Sequence, residues 1–363
     1  MRKLFVILAA VAFVVGSTVP ALAATEWSFS GRVGYDTFMV SVDEPGDYDD
    51  DDLKWALWGV SGLTARAKTD NGIAGRIEFG TKDGNATMRY WYGTWDFGAG
   101  TFLIGNDVTP FKYTCAECTQ VGDDATSGFY EGRQPQVKLT FGNLQIALIE
   151  PKTGVLYDIV ADDDYEGDDT DVSLPKIEAA YSLNVGPAQI YAAVAYQTFD
   201  VVDQSAGYPA PEKEYGVDSI GYGLGFTVGF GPGYLKGAAT MTENGVYFGI
   251  SDEEADDHNA VILNGQVYDV DRFGWSLTAG YKISDMLALD GWYGQTESEI
   301  DVLGVKFEDS LVGYGLNLLI TPAKGVTLIP EYSVLDYDEA KLNGVTEEQG
   351  DVTYVGLRWK IEF

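Results

Sequence analysis

Apolar residues alternate with small or polar residues along most of this sequence. In the segment "YGLGFTVGF", Tyr222 to Phe230, every second residue is apolar and the residues between them are glycine or threonine. A period of two residues is typical of a β-strand with two different faces, whereas an amphipathic helix repeats every 3.6 residues. The sequence therefore predicts an all-β protein.

Sixteen segments of this kind can be placed along the chain. They start near Trp27, Lys54, Ile73, Thr87, Thr101, Gln136, Leu144, Lys176, Gln189, Ile220, Tyr234, Phe273, Leu287, Leu311, Val326 and Val352. Short turns, such as Gly142-Asn143, alternate with longer connections. Three of the longer ones are strongly acidic, with seven Asp and Glu residues in 43–52, eight in 154–175 and seven in 251–272. We therefore expect a sheet with tight turns at one end and acidic loops at the other.

The first 23 residues have the anatomy of a cleaved signal peptide. Arg2 and Lys3 precede an apolar run, residues 4–15, and Ala21-Leu22-Ala23 is a small-x-small cleavage site. The apolar run is shorter than the roughly 18–20 residues that a membrane-spanning helix needs. We therefore expect an exported protein in which residues 24–363 form a single domain.

The charge balance excludes one class of partner. The chain contains 23 Lys and Arg residues against 56 Asp and Glu residues, a net charge of −33. Such a chain repels nucleic acid. A high net charge is also common in disordered proteins, but hydrophobic residues make up 45 % of this chain and aromatic residues 13 %. A large core or a large apolar exterior is therefore expected.

Two all-β architectures fit the alternation: a sandwich, which buries its apolar faces between two sheets, and a transmembrane barrel, which turns them to lipid. The faces opposite the apolar ones are rich in Gly, Ser, Thr and Lys, as suits a water-filled interior, and aromatic residues often lie near strand ends. The chain also stops within a strand, at Phe363. These features favour a transmembrane antiparallel β-barrel of about 16 strands.

Two stretches, "MRYWYGTWDFGAGTFLIGNDVTPFKY" and "SGFYEGRQPQVKLTFGN", carry a more specific likeness. Together with the signal peptide and the sixteen segments, they resemble the general bacterial outer-membrane porins, the 16-stranded Gram-negative type. The resemblance implies an outer-membrane location and a third loop, about residues 107–134, that folds into the lumen. It also implies a homotrimer surrounded by outer-membrane lipids and lipopolysaccharide, and recognition of Phe363 by the barrel-assembly machinery.

The resemblance also suggests which residues form the narrow part of the channel. In that family the acids of the third loop face a ladder of basic side chains on the wall. Matching the motifs residue by residue places Arg32, Arg89 and Arg133 on the basic side of the constriction. The acidic side would come from Glu117, Asp123 and Asp124.

The predicted function is passive diffusion of small hydrophilic solutes and ions, without chemistry or cofactor. The net charge predicts a preference for cations, and the acidic loops could hold divalent cations loosely. The first alternative is a substrate-specific channel with a binding site in the lumen. A structural or adhesive barrel and a barrel enzyme are further alternatives; the only histidine for the latter is His258.

The only two cysteines form a C-x-x-C motif, Cys115 and Cys118, in the predicted third loop. Haem attachment would require a histidine where Thr119 stands. A zinc site would need more ligands, and a thioredoxin-like redox site would need a βαβ unit. Because exported proteins favour oxidation, we expect a Cys115–Cys118 disulfide that stiffens the loop.

Overall fold

The computed structural model of the chain describes residues 25–44, 48–82, 85–115, 128–154, 156–158, 163–165, 169–203, 213–248, 260–337, 340–342, 345–347 and 349–363. These residues form a closed antiparallel β-barrel with sixteen wall strands, which confirms the predicted fold class and strand number. The predicted signal peptide, residues 1–23, lies outside the described residues.

The wall strands follow one another around the barrel in chain order. They are β1 Thr25–Glu44, β2 Tyr48–Leu57 continued by Gly62–Thr69, β3 Ile73–Lys82, β4 Asn85–Asp96, β5 Thr101–Val108, β6 Arg133–Phe141, β7 Leu144–Ile149, β8 Lys176–Val185, β9 Ala188–Asp203, β10 Lys213–Phe230, β11 Gly233–Glu243, β12 Asp271–Lys282, β13 Leu287–Val302, β14 Val305–Ala323, β15 Val326–Tyr337 and β16 Gly350–Glu362. Within the described part of the chain, no helix is long and apolar enough to cross a membrane.

The first and last strands close the barrel. β16 pairs with β1 from Arg32↔Glu362 to Asp43↔Asp351. The backbone of Phe363 also exchanges two hydrogen bonds with Gly31, at 2.7 and 2.9 Å. Closure leaves no unpaired strand edge in the wall, which is what a sheet surrounded by lipid requires.

Tight turns join the strands at one end, as the sequence predicted. Gly142 and Gly186 occupy such turns with φ of 57° and 59°, a left-handed conformation that glycine adopts at little cost. At the other end, the acidic stretch 43–52 differs from the prediction of a loop. Residues 43–44 and 48–52 belong to β1 and β2 and are paired with each other, for example Asp43↔Asp49. The hairpin simply continues beyond the predicted strand ends.

The outer and inner faces of the wall differ in polarity. Every wall strand carries at least one large apolar side chain that is exposed, for example Phe29, Trp91, Leu224 and Ile361. Inward positions of the same strands carry polar side chains such as Ser276, Thr278 and Asn317, which are buried within the barrel. An apolar exterior around a polar interior is the arrangement of a barrel that spans a membrane, and the opposite of a water-soluble protein.

The wall has an uneven height, and the loops fill its taller side. β3 to β8 contain 6 to 12 residues, whereas β9, β10, β13 and β14 contain 16 to 19. Loop 4 (residues 150–175) and loop 6 (residues 244–270) contribute short strands to one four-stranded sheet, here called the loop sheet. Its strands are Leu156–Asp158, Asp163–Tyr165, Val261–Leu263 and Gln266–Tyr268.

The remaining short elements also belong to loops. Lys112–Tyr113 pairs with Phe129–Tyr130, Asp169–Asp171 extends the wall beside β9, and Ala340–Leu342 pairs with both β14 and Val345–Glu347. A 3₁₀ helix, Gly245–Phe248, begins loop 6.

Candidate functional site

A β-bulge in β4 brings two neighbouring side chains to the inner face of the barrel. The pairing with β3 steps from Glu78↔Tyr90 to Phe79↔Met88, so that Arg89 is the extra residue. Because side chains alternate along a regular strand, only such a bulge lets Arg89 and Tyr90 point to the same side. Gly80 provides the space: a Cβ atom there would lie 2.3 Å from Cδ of Arg89.

Glu78, a nearly fully buried residue of β3, collects three arginines. Arg32 Nη2 lies 2.7 Å and Arg89 Nε 3.0 Å from Glu78 Oε1, and Arg76 contacts Oε2. The hydroxyl of Thr64 donates a further hydrogen bond of 2.8 Å to Oε2. The carboxylate is therefore fully engaged, and it fixes the directions of three long side chains on β1, β3 and β4.

Arg133, the first residue of β6, joins this group through aromatic rings. Its guanidinium carbon lies 4.9 Å from the ring centre of Tyr90 and 6.0 Å from that of Tyr130, while that of Arg76 lies 3.6 Å from Tyr90. Among the described residues, no carboxylate lies within ion-pair distance of Arg133. Arg32, Arg76, Arg89 and Arg133 with Glu78 form what we call the arginine cluster, which has more positive than negative charges.

The structure thus brings together all three arginines that the resemblance suggested, Arg32, Arg89 and Arg133, on one side of the lumen. The three predicted acids, Glu117, Asp123 and Asp124, lie outside the described residues, as does Cys118. β5 ends at Val108 and β6 begins at Arg133, so the connection spans residues 109–132, here called loop 3. The structure describes both of its ends, 109–115 and 128–132.

Both ends of loop 3 lie against the inner face of β10, on three glycines. A Cβ atom at Gly221, Gly223 or Gly225 would lie 2.9, 2.5 or 2.4 Å from the rings of Phe111, Phe129 and Tyr113 respectively. Real Cβ atoms do not approach other atoms so closely, so larger residues would displace the loop. The three glycines, here called the glycine patch, let the two ends of loop 3 lie flat on the wall.

Hydrogen bonds and ion pairs then hold the two ends of loop 3. The backbone N–H of Phe111 donates to Oε2 of the buried Glu178 at 2.6 Å, and Glu131 pairs with the buried Lys176. Tyr113 donates its hydroxyl hydrogen to the carbonyl of Phe226 at 2.5 Å. These contacts tie the two ends of the loop to β8 and β10.

Cys115, in the first end of loop 3, contacts the wall strand β12. The hydroxyl of Thr278 donates to the carbonyl of Cys115 at 2.6 Å, and the Cys115 sulfur lies 3.6 Å from the carbonyl oxygen of Ser276. Cys115 is fully buried. Because its predicted partner Cys118 lies outside the described residues, the disulfide stays a prediction.

Glu78 and Trp58 are among the residues of this site that were not singled out in the sequence. Glu78 could have been found, because alternation in "RIEF" places it on the same face as Arg76 and opposite Ile77 and Phe79. Trp58 could not have been found from the sequence, because it lies in the interruption of β2, outside the alternating pattern. Its ring is 5.8 Å from the guanidinium carbon of Arg32 and 4.6 Å from that of Arg358.

The charged groups on the inner face are suited to distinguishing solutes by their charge, because other side chains hold them in place. Arg358, next to the arginine cluster, is a further example: its Nε and Nη2 donate to Asp36 at 2.6 and 2.7 Å. In the described part of the chain, no group of three or more His, Cys, Asp or Glu side chains could hold a metal ion. Fixed charges on a lumen wall act on passing solutes through their field.

Comparisons with known proteins identify the fold of this chain. Neither the models of known protein families nor the curated protein sequences gave a match. Solved structures of other proteins did match it. The outer-membrane channel DcaP of Acinetobacter baumannii superimposes with a TM-score of 0.65 over 95 % of this chain and 100 % of that chain, at 16 % identity.

Two further structures agree with it. The anion-selective porin from Comamonas acidovorans gives a TM-score of 0.59 at 15 % identity, over 94 % of this chain and all of its own. The trimer form of OmpT, an outer-membrane protein of Vibrio cholerae, also gives 0.59, at 14 % identity and the same coverage. The chain therefore has the closed 16-stranded fold of the bacterial outer-membrane porins.

Proposed function

We propose that this protein is a channel in the bacterial outer membrane through which small hydrophilic solutes and ions diffuse passively. The observation that carries the proposal is the arginine cluster on the polar inner face of a closed barrel, in which both ends of loop 3 lie against the inner face of β10. Charges fixed in this way orient dipolar solutes and disfavour apolar ones, and they require no chemical step.

The charge preference depends on two parts of the molecule. Four arginines and one glutamate leave three positive charges in the cluster, and Glu117, Asp123 and Asp124 of loop 3 would neutralise them. The remaining acids are concentrated in the loops at one end of the barrel. We infer a constriction that is close to neutral, below an acidic mouth that attracts cations.

A reversal-potential measurement in planar bilayers tests this preference. In a KCl gradient we expect the sign that reports potassium over chloride, and a stronger preference at low salt. The reason is that the Debye length grows from about 3 Å at 1 M to about 10 Å at 0.1 M, so the mouth acts on ions farther away. A preference for chloride at both salt concentrations would contradict the proposal.

The arginine cluster also favours a second candidate, a channel with a lumenal binding site for anionic solutes. Arg133 supplies a guanidinium without a carboxylate among the described residues, and planar guanidinium groups suit carboxylate or phosphate. Inorganic phosphate separates the two candidates. A binding site predicts saturable reduction of the single-channel current by phosphate, whereas free diffusion predicts a current that follows bulk conductivity.

The proposed surroundings follow from the fold and the resemblance. We propose a homotrimer in contact with outer-membrane lipids and lipopolysaccharide. We also propose that the barrel-assembly machinery recognises Phe363, whose exposed ring lies at the end of β16. The trimer form of the Vibrio cholerae protein supports the first proposal. Catalysis forms no part of it, and any divalent cations would be held loosely by the acidic loops.

A further inference from the structure

The loop sheet joins two loops that are far apart in sequence. Its central pair is parallel, with Tyr157↔Val261 and Asp158↔Ile262 as register partners. Buried side chains attach this sheet to the inner face of the tall wall strands β9 and β10. They are Leu156, Ala260 and Ile262 of the loops with Phe199, Val201, Tyr215 and Val217 of the wall.

The base of loop 4 contacts loop 3. Lys152 Nζ lies 3.8 Å from Oε1 of Glu131, the same carboxylate oxygen that Lys176 contacts. Two hydrogen bonds to Gln197 fix the backbone of Lys152, at 2.6 and 3.3 Å. Burial lowers the pKa of Lys152, and the carboxylate of Glu178 opposes that change. Loop 4 is therefore attached to the returning end of loop 3.

The base of loop 6 contacts loop 3 at its other end. Phe248, the last residue of the 3₁₀ helix, is fully buried, and its ring centre lies 6.0 Å from that of Phe111. Phe111 in turn lies 4.9 Å from Phe129, across the two ends of loop 3. Loops 3, 4 and 6 thus contact one another pairwise, and each also contacts the wall.

We propose that loops 4 and 6, joined through the loop sheet, hold the two ends of loop 3 in position, so that a structural change at the mouth of the barrel reaches the constriction. Lys152, Glu131 and Phe248 are positioning residues in this arrangement, because they act on the aperture through loop 3. The consequence for conductance rests on the proposed channel function, but the mechanical connection does not.

Labelling of Cys115 measures the connection without any current. Cys115 is a buried residue of loop 3 that lies against β12, so in a Cys118→Ser background a membrane-impermeant maleimide can reach it only when this end of the loop moves away from the wall. Ile262→Asp puts a charge into the buried contact between the loop sheet and β9–β10. We expect labelling to accelerate by about tenfold or more, as local opening becomes less costly.

Two control variants and one milder test variant make the result specific. Ile262→Val keeps the apolar contact and should label at the parent rate. Leu303→Asn changes an exposed residue with a φ of 56° at the β13–β14 turn, outside the loop sheet, and should also leave the rate unchanged. Phe248→Leu weakens the contact with Phe111 without burying a charge, and should give a smaller acceleration.

Folding of each variant is checked by its heat-modifiable mobility on gels. If folded Ile262→Asp labels at the parent rate, the proposal is wrong; if that variant does not fold, an unchanged rate for Phe248→Leu overturns it equally. Bilayer recordings of the same variants should show increased open-channel noise. Accelerated labelling in a barrel that conducts no ions in any variant would support the connection and contradict the channel function.

Discussion

The two sides of the lumen are built in opposite ways. On β1, β3, β4 and β6, long charged side chains fill the inner face, and Glu78 and Tyr90 hold them in place. In the middle of β10, the inner face has no side chains over three successive inward positions, since Gly221, Gly223 and Gly225 leave room for the rings of loop 3. One side is defined by its charges and the other by the absence of side-chain volume.

In the channel that we propose, this difference separates two tasks. The arginine cluster would supply the electrostatic field, and the glycine patch sets where the two ends of loop 3 lie against the wall. A substitution on one side should therefore change charge preference, and a substitution on the other should change the size of the aperture.

Replacing the carboxylate of the arginine cluster should have the largest effect. Glu78→Gln leaves Arg32, Arg76 and Arg89 without their common counter-charge. Removing one partner of a fully buried pair costs about 3–5 kcal/mol, and we expect somewhat less here because Arg32 retains 32 % side-chain exposure. The reversal potential should also move towards anions.

Urea unfolding in lipid vesicles and bilayer recording measure the two effects of Glu78→Gln. Glu299→Gln is the matched control: it removes one negative charge from a half-exposed pair with Lys306, outside the lumen. We expect a change of at most about 1 kcal/mol for it. Equal effects of the two variants on selectivity would show that the cluster has no special role.

Filling the glycine patch should have the next largest effect, on the aperture. In Gly223→Leu, the new side chain would overlap the ring of Phe129, because even its Cβ would lie 2.5 Å from that ring. Overpacking of this kind costs about 1–3 kcal/mol. We expect loop 3 to shift into the lumen and the single-channel conductance to fall, with little change in ion preference.

Gly229→Leu is the control for the glycine patch. Gly229 lies on the same face of β10, but nothing lies within 4 Å of a Cβ atom built there. Its conductance should therefore equal that of the parent protein. A fall in conductance of the same size in both variants would mean that added volume anywhere in the lumen, not displacement of loop 3, controls the current.

The smallest effect is expected at the aromatic ring between two arginines. Tyr90→Leu removes the surface on which the guanidinium groups of Arg76 and Arg133 lie. With about 0.5–1 kcal/mol for each such contact, the loss should be on the order of 1–2 kcal/mol. The free energy of unfolding measures it. Tyr90→Phe keeps the ring and should stay close to the parent value, whereas a similar loss in both variants would assign the effect to the hydroxyl.

Much of the wall was predictable from the sequence. Alternation places Leu224 and Phe226 outside and Gly223 and Gly225 inside without reference to any other strand, because the side-chain period of a strand is local. The same reasoning located the sixteen strands and their tight turns. Arg32, Arg89 and Arg133 were predicted as one group through the resemblance, and the structure places them together.

Other features depend on pairings that no local pattern contains. The bulge at Arg89 exists only relative to β3, and it determines that Tyr90 joins the inner face. The parallel pairing of Tyr157 with Val261 joins segments about a hundred residues apart. The reason for glycine at three positions of β10 is visible only in the tertiary structure, where the rings of loop 3 lie against those positions.

The sequence by itself determined the fold class, the strand number and the polarity of each face, since these follow from a two-residue period and from turn chemistry. Only the tertiary structure decided which charges meet and where loop 3 rests. Those outcomes depend on the register between strands and on the close approach of distant segments, such as Phe129 to Gly223. Glu78 becomes the centre of the arginine cluster for the same reason, because β1, β3 and β4 are brought side by side.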